Sequence, residues 1–237
     1  MGLIRVLILS LGIALAANAA LIHQYVFSGN VNDQIGTDDG TLSGAASASG
    51  GVLTLNGFPD FVQFNAHIVP TSGSYTVALK ERIRTPESGL TELISQGSSG
   101  GPGFYIGTDG SGVSFRITDS WLSSGVAFPS ADGEWHRIVL VYNGSYSLYL
   151  DSSLAGSSGP AVNAGVGGGD TRFGRQFPPY DEFFRGDLAD VRIYDEALSA
   201  RQVANLDTTA IPEPASSALV GGVLTLLALG ISRFRRK

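Results

Sequence analysis

Paired carboxylates are the first chemistry to look for, because two Asp or Glu side chains can together hydrolyse a glycosidic bond. On a β-strand, carboxylates at positions i, i+2 and i+4 share one face, and retaining hydrolysis needs two of them about 5 Å apart. No Asp or Glu triple has this spacing, and the nearest approach is Asp132 and Glu134 followed by His136. Gly133 lies inside that stretch and favours a solvated turn.

Other catalytic patterns are equally weak. Asp187 and Asp190 are three residues apart, so a regular strand would turn them to opposite faces. His23 and His67 are isolated in the sequence, and no Ser occupies a nucleophile-elbow pattern. The chain has no cysteine, which excludes thiol catalysis and thiolate metal sites. We therefore predict that the protein is not an enzyme.

Aromatic side chains beside charged ones suggest a different chemistry, the binding of a sugar. The segment "RQFPPYDEFFRG" places Phe177 and Tyr180 beside Arg175, Asp181 and Glu182, and Trp121 lies in "DSWLSSG". Planar rings stack on sugar faces, and neighbouring polar groups can bond to hydroxyls. Core packing is the alternative interpretation of the three rings. Both remain open, and Arg175, Phe177, Tyr180 and Trp121 are the candidate ligand-binding residues.

An acidic, glycine-rich loop could hold a cation. Asp33, Asp38 and Asp39 lie close together in the sequence and would supply oxygen ligands to calcium. Asx turns, in which each side chain bonds to nearby backbone, explain the same residues. We expect the turns and no cofactor.

The elements that must position these residues are almost all β. Short runs of aromatic and β-branched residues alternate with Gly, Ser, Asn and Asp clusters, as in an antiparallel two-sheet sandwich. In "WHRIVLVYNGSYSLYLDSS", Asn143-Gly144 predicts a type I′ hairpin turn between two antiparallel strands. One short helix is predicted near the end, at Leu198–Leu206, with Ser199 or Asp195 as its cap.

Both ends of the chain predict membrane targeting. Arg5, the apolar run 6–17 and the small residues of Ala17-Asn18-Ala19 are typical of a secretory signal peptide, cleaved between Ala19 and Ala20. The uncharged run 215–231 would reach roughly 25 Å as a helix, and basic residues follow it, as in a transmembrane helix. We divide the chain into a signal peptide (1–19), a globular domain (20–207) and a linker with a membrane segment (208–237).

Charge argues against nucleic acid as a partner. The chain has 15 basic and 21 acidic residues. Five of the basic and one of the acidic residues lie in the two terminal segments, which leaves residues 20–211 with a formal charge of −10. This net charge argues against nucleic acid and anionic lipid surfaces as partners.

Two long motifs resemble a known family. "GEWHRIVLVYNGSYSLYLDSSLAG" and "FRGDLADVRIYDEALSARQVANL" are similar to segments of LamG-like domains, and "YVFSGNVNDQIGTDDGTLSGA" is similar to their first strand and loop. The resemblance covers most of residues 20–207 and implies a concanavalin A-like jelly roll. Such domains often bind calcium through an Asp of the second motif. Ala189 stands at that position and supplies no side-chain oxygen, and Asp190 would face the other side, so a calcium cofactor is doubtful.

The tail resembles a second pattern, the PEP-CTERM sorting signal. It has Pro212, Glu213 and Pro214, then an apolar run and a basic end. The resemblance implies an exosortase-like enzyme as a partner, and an intermediate held in the inner membrane before release to the envelope or the exterior. The two prolines keep the backbone of this segment extended, which is the conformation that a protease can bind.

Together these features predict an exported, non-catalytic binding or adhesion module. Its expected partner is an extracellular polysaccharide or another matrix component, as in a biofilm. A cryptic glycoside hydrolase and a purely structural matrix protein remain alternatives.

Overall fold

The computed structural model describes residues 19–84, 89–97, 103–108, 114–117, 120–123, 132–161, 163, 169–180 and 182–206. The signal-peptide and tail predictions, including Pro212, Glu213 and Pro214, therefore lie outside the described residues, apart from Ala19 and Ala20. Within the described ranges, no helix is both long and apolar enough to cross a membrane.

Two antiparallel sheets form a sandwich, as the alternating pattern predicts. We call the first sheet A; its strands run in the spatial order β13-β12-β11-β6-β15-β4-β3, and β1 also pairs with β15. Its strands are β1 (Leu21–Tyr25), β3 (Ser47–Ser49), β4 (Val52–Asn56), β6 (Tyr75–Arg82), β11 (His136–Tyr142), β12 (Ser145–Leu150), β13 (Ser153–Pro160) and β15 (Arg185–Tyr194).

The second sheet, sheet B, runs in the order β10-β9-β8-β7-β14-β5-β2. Its strands are β2 (Thr41–Ser43), β5 (Phe61–Phe64), β7 (Thr91–Gly97), β8 (Phe104–Thr108), β9 (Ser114–Ile117), β10 (Ser120–Ser123) and β14 (Asp170–Phe173). The fold prediction is thus confirmed for the two-sheet sandwich.

The core lies between the two sheets and is rich in rings. Tyr25 of sheet A meets Phe64 and Phe173 of sheet B, with ring centroids 5.0 and 5.5 Å away. All three rings are buried. Because edge-to-face rings contribute beyond the area that they bury, this cluster fixes how the sheets sit on each other.

The helix α1 (Ala200–Asn205) covers the outer face of sheet A. The side chain of Ser199 caps it by accepting from the backbone N–H of Gln202, and the Gln202 side chain accepts from the backbone N–H of Ser199. Leu198 and Val203 pack onto the sheet. Ser199, rather than Asp195, is therefore the cap.

The hairpin between β11 and β12 forms as predicted, but its turn differs. Tyr142 pairs with Tyr146, and of the residues between them only Gly144 has a positive φ, at 74°. A type I′ turn needs two such residues, so the connection is a different turn with the same antiparallel result.

Candidate functional site

The outer face of sheet B carries the best candidate site. Alternation along the strands turns Val62, Phe64 and Phe173 into the core. Gln63 and Arg172 are the next residues along these strands, so they face outward, and they pair in register. The register thus places polar side chains of two strands side by side on the solvent face.

A ladder of rings and guanidinium groups covers this face. The Arg172 guanidinium carbon lies 4.4 Å from the Phe177 ring centroid and 5.6 Å from that of Phe61. The Arg175 guanidinium carbon lies 5.0 Å from the Phe61 centroid and 4.8 Å from that of Phe183. Cations against ring faces attract electrostatically.

The ladder continues to an exposed ring. Phe58 meets Phe183 edge to face, with centroids 5.2 Å apart and planes at 85°. Phe58 is 76% exposed, the most exposed large apolar residue in the described part of the chain. We call this set of six residues the aromatic–arginine ladder: Phe58, Phe183, Arg175, Phe61, Arg172 and Phe177.

The two arginines of the ladder lack carboxylate partners among the described residues. Arg172 donates from Nε to Gln63 Oε1 at 2.8 Å and from Nη1 to the Gln176 carbonyl at 3.5 Å. Burial, followed by the positive charge of Arg175, lowers the pKa of Arg172, and Asp170 opposes this effect only in part. Arg175 Nε is buried and has no hydrogen-bond acceptor within the described ranges.

A tight strand end holds Arg175 in place. Gly174 has φ +83°, and its N–H donates to the Leu93 carbonyl at 2.9 Å. A Cβ at this position would collide with the Leu55 side chain in the core. Glycine is therefore required for β14 to turn here, and Phe184 then returns beside it, donating its N–H to the Gly174 carbonyl at 3.0 Å.

Asp60 fixes the loop that presents Phe58. Its buried carboxylate accepts from the backbone N–H of Ala45 at 2.6 Å, from the backbone N–H of Asn56 at 3.0 Å, and from the Asn56 side chain at 2.8 Å. The two bonds from Asn56 join the ends of this loop, and the bond from Ala45 ties it to the segment after β2.

The predicted ligand-binding residues take different positions. Tyr180 is 47% exposed, whereas Phe177 is only 4% exposed and supports Arg172. Arg175 is half-buried between two rings. Trp121 lies on β10, opposite Arg116 in the backbone register, and its side chain lies outside the described part.

Sequence reasoning missed Phe58, Phe61 and Arg172. Phe58 had one signal, since Gly57 and Pro59 flank it as in an exposed turn. Phe61 and Arg172 sit in ordinary strand patterns, so nothing local distinguishes them.

The turn at Asp132 contains an exposed ion-pair network. His136 Nδ1 lies 2.7 Å from Asp151 Oδ2, and its Nε2 lies 3.1 Å from Asp132 Oδ2. Burial lowers the pKa of His136, but the hydrogen bonds to Asp151 and Asp132 outweigh it and raise the pKa above its usual value.

Glu81 lies beside this turn but inside the sandwich. It pairs with His136 in register, is 0% exposed, and neither carboxyl oxygen has a hydrogen-bond partner among the described residues. Burial raises its pKa to about 8, and the negative charges of Asp132 and Asp151 add to this effect.

A bulge in β15 overturns the expected geometry of Asp190. The register shifts between Ala189 and Arg192, and Asp190 has φ 48°. Its carboxylate therefore reaches the outer face of sheet A, where Arg137 Nη2 lies at 2.9 Å and Arg192 Nε at 2.7 Å. Extra residues in a bulge re-aim side chains, so the simple alternation rule failed here.

Asp187 faces the same side as Asp190, contrary to the expectation from their three-residue spacing. It accepts two hydrogen bonds from Arg82, at 3.0 and 2.8 Å, and one from Thr54 at 2.9 Å. Arginines therefore occupy both carboxylates on this face, and Ala189 adds no oxygen.

The acidic loop near the start of the domain forms turns. Asp33 Oδ1 accepts from the N–H of Ile35, two residues on, and Asp33 Oδ2 lies 2.6 Å from His23 Nδ1. Burial would raise the pKa of Asp33, but the hydrogen bonds from His23 and from backbone N–H groups lower it overall. In the described ranges no three His, Cys, Asp or Glu side chains group as metal ligands.

Comparison with known proteins supports the resemblance seen in the sequence. A laminin G family model described as "Concanavalin A-like lectin/glucanases superfamily" matches residues 56–204. Among proteins with curated functions, none matches the sequence significantly.

Solved structures share the fold at low identity. Domain 4 of AbnA, a GH43 extracellular arabinanase from Geobacillus stearothermophilus solved with arabinotriose, is 19% identical with a TM-score of 0.64. The match covers 79% of this chain and 98% of that domain.

Two further structures match smaller parts of larger chains. Trypanosoma rangeli sialidase in complex with the inhibitor DANA is 14% identical, with a TM-score of 0.61, and the match covers 80% of this chain and 33% of the sialidase. The receptor binding domain of botulinum neurotoxin D is 12% identical, with a TM-score of 0.58 and coverage of 78% and 51%. At these identities the likeness extends to the fold alone.

Proposed function

This chain belongs to the concanavalin A-like lectin/glucanases superfamily, and from that premise we propose that it is an exported, non-catalytic module that binds extracellular polysaccharide. Adhesion to a matrix such as a biofilm would be its role.

The observation that carries the proposal is the aromatic–arginine ladder with exposed rings near both of its ends. Phe58 is exposed at one end, and Tyr180, three residues beyond Phe177, is exposed near the other. Exposed rings can stack on sugar faces, and the guanidinium groups between them can donate hydrogen bonds to sugar oxygens. The arabinanase domain with arabinotriose, which has a similar fold, adds support by analogy.

A cryptic glycoside hydrolase is the alternative to binding, and it needs two carboxyl groups about 5–10 Å apart. Glu92 and Asp170 do not meet this condition, because five residues of β7 separate Glu92 from Gly97, the partner of Asp170, which places the two Cα positions roughly 16 Å apart. Glu92 and Glu182 are neighbours, since the N–H of Glu92 donates to the Glu182 carbonyl at 3.3 Å, but both side chains are buried, which favours binding over hydrolysis. Release of reducing ends from the bound polysaccharide would favour the alternative, a cryptic glycoside hydrolase.

Export and sorting complete the proposal. A signal peptide cleaved between Ala19 and Ala20 would deliver the chain across the inner membrane. The apolar segment after Pro212-Glu213-Pro214 would hold it there until an exosortase-like enzyme releases it to the envelope or the exterior. The acidic domain makes nucleic acid a poor partner.

Replacement of Tyr180 by alanine tests the binding role. The full-length chain, purified in a mild detergent, is mixed with insoluble polysaccharides and sedimented. Stacking on exposed rings is weak, so we expect affinities between millimolar and micromolar, strengthened by avidity on a polymer. Tyr180→Ala and Phe58→Ala should each reduce sedimentation with a nearly unchanged melting temperature, because both rings are exposed.

Leu154→Ala is the matched control, since Leu154 is an exposed apolar side chain on β13 of the other sheet. If no polysaccharide sediments the wild-type protein, the alternative of a purely structural matrix protein is favoured. A large drop in melting temperature for Tyr180→Ala would show that this ring serves packing.

A further inference from the structure

Resting on the proposed function, we infer that the ligand of this face is an acidic polysaccharide whose sugar carboxylates bind at Arg172 and Arg175. The charge, the pairing and the orientation of these two side chains favour this class of ligand.

The two guanidinium groups bring positive charge together in an acidic domain, and Asp170 offsets it at Arg172 only in part. Both groups lie within 6 Å of the Phe61 ring centroid, and the positive charge of Arg175 acts on Arg172. Neither forms an ion pair with a described residue, although acidic side chains outnumber basic ones two to one in residues 20–211. Like charges held together in a partly buried place destabilise the fold unless an anion compensates them.

The arginines on the outer face of sheet A differ from Arg172 and Arg175, because they do form ion pairs. On the outer face of sheet A, Arg82 is paired with Asp187, and Arg137 and Arg192 are paired with Asp190. The fold therefore supplies carboxylates to the buried Arg137 and Arg192 and to the half-buried Arg82 on the outer face of sheet A. On the outer face of sheet B, no described carboxylate pairs with Arg172 or Arg175, so a ligand can supply one.

The packing of the arginines leaves donors for such a ligand. Rings of Phe61, Phe177 and Phe183 lie against the guanidinium carbons. The N–H groups of a guanidinium lie along the edges of its plane, where a carboxylate accepts two of them side by side. Arg175 Nε has no acceptor in the described ranges, and a carboxylate on this guanidinium would reduce the cost of burying it.

The exposed rings select a sugar polymer among anions. A free anion would use the arginines alone, whereas a chain of sugars along the ladder also meets Phe58 at one end and Tyr180 near the other. Stacking would fix the sugar plane and the arginines would fix its carboxylate. A polyuronate, in which every sugar carries a carboxylate, satisfies both requirements.

Binding of the full-length chain to polygalacturonate and to the same polymer after reduction of its carboxyl groups tests the inference. Surface-immobilised polymers and a titration of sodium chloride give affinities and their salt dependence. We expect polygalacturonate to bind at least tenfold more tightly than the reduced polymer, a difference of about 1.4 kcal/mol. We also expect its affinity to fall with salt.

Arginine variants then locate the site. Arg175→Gln and Arg172→Gln should each remove most of the preference for polygalacturonate, and Arg175→Lys should retain part of it, because lysine keeps the charge without the planar fork. Arg201→Gln is the matched control, an exposed arginine of α1 on the other face of the sandwich. Circular dichroism checks that each variant is folded.

The outcomes separate the inference from the proposed function. Equal affinity for both polymers, lost in Tyr180→Ala, would overturn the acidic ligand and leave sugar binding standing. Failure to bind either polymer, or any neutral one, would overturn both. Single-stranded DNA bound as tightly as polygalacturonate would show attraction to polyanions in general and would also overturn the inference. The polymer comparison uses wild-type protein, so it decides even if a variant does not fold.

Discussion

The buried carboxyl group of Glu81 should make the stability of this domain depend on pH. Its side chain lies on the core face of β6, without a hydrogen-bond partner in the described part of the chain. Burial raises its pKa from 4.5 to about 8, with Asp132 and Asp151 contributing. His136 lies on the neighbouring strand β11 and pairs with Glu81 in register.

The sign of the effect follows from proton binding. Between pH 4.5 and 8 the folded state keeps the Glu81 proton and the unfolded state has lost it, so the free energy of unfolding falls as pH rises. The slope is about 1.4 kcal/mol per pH unit, and over the interval from 4.5 to 8 the loss amounts to about 5 kcal/mol. Below pH 4.5 the full stability is present, and above pH 8 this contribution is constant.

Glu81→Gln removes the titration and keeps the shape of the side chain. We expect the variant to match the wild type near pH 4.5 and to exceed its stability by several kcal/mol at pH 8. Urea unfolding followed by circular dichroism at pH 4.5, 6 and 8 measures the difference. Glu134→Gln, which changes an exposed neighbour, is the control and should follow the wild type.

The comparison isolates one group, because His136 titrates in both proteins. The pKa of His136 is also raised, so its own contribution is lost with rising pH in the same direction as that of Glu81. Parallel profiles for wild type and Glu81→Gln between pH 4.5 and 8 would refute the reasoning, since they would mean that Glu81 is ionised or compensated in the folded state.

Three further predictions concern calcium, the tail and the Phe58 loop. EDTA should leave the melting temperature unchanged, because Ala189 stands at the expected ligand position. Calcium at about 100 times its Kd would stabilise the fold by roughly 2.7 kcal/mol. A fall of several degrees in EDTA would therefore reveal a calcium site. Mass spectrometry of protein from the native envelope should find no residues beyond about Pro214, and recovery of Lys237 would contradict exosortase processing. Asp60→Ala should cost about 3 kcal/mol in urea unfolding, because the N–H groups of Ala45 and Asn56 lose their acceptor; a cost within 0.5 kcal/mol would show that the loop does not depend on this carboxylate.

Local signals in the sequence were sufficient for the regular parts of the fold. Asn143-Gly144 predicted the hairpin, Ser199 was one of the two predicted helix caps, and alternation predicted the two-sheet sandwich. Four strands, β2, β3, β10 and β13, carry no such signal, because they consist largely of Ser, Gly, Ala, Thr and Leu. Each of these strands forms because a neighbour offers its ladder of hydrogen bonds, and a propensity pattern does not contain that information.

The site was harder to predict because its members are distant in sequence. Gln63 and Arg172 are 109 residues apart and meet only through the register of β5 and β14. Tyr180 and Arg175 could be selected because they lie in one short polar and aromatic segment. Asp190 shows the opposite difficulty, since a single bulge changed the face to which a nearby residue points.

The same strands build both the core and the candidate site, so the packing of the core also orients the side chains of the site. Phe64 and Phe173 lie on the neighbouring strands β5 and β14, with ring centroids 4.6 Å apart. Both rings pack against Tyr25 of the opposite sheet, which fixes the two strands. Gln63 and Arg172 are the alternate residues of these strands, so anchoring the buried rings also fixes the outward side chains. A site held in this way loses little conformational entropy when a ligand binds. The arginines of the ladder should therefore contribute through orientation as much as through charge, which is why Arg175→Lys, with its charge intact, should still bind polygalacturonate less tightly than the wild type.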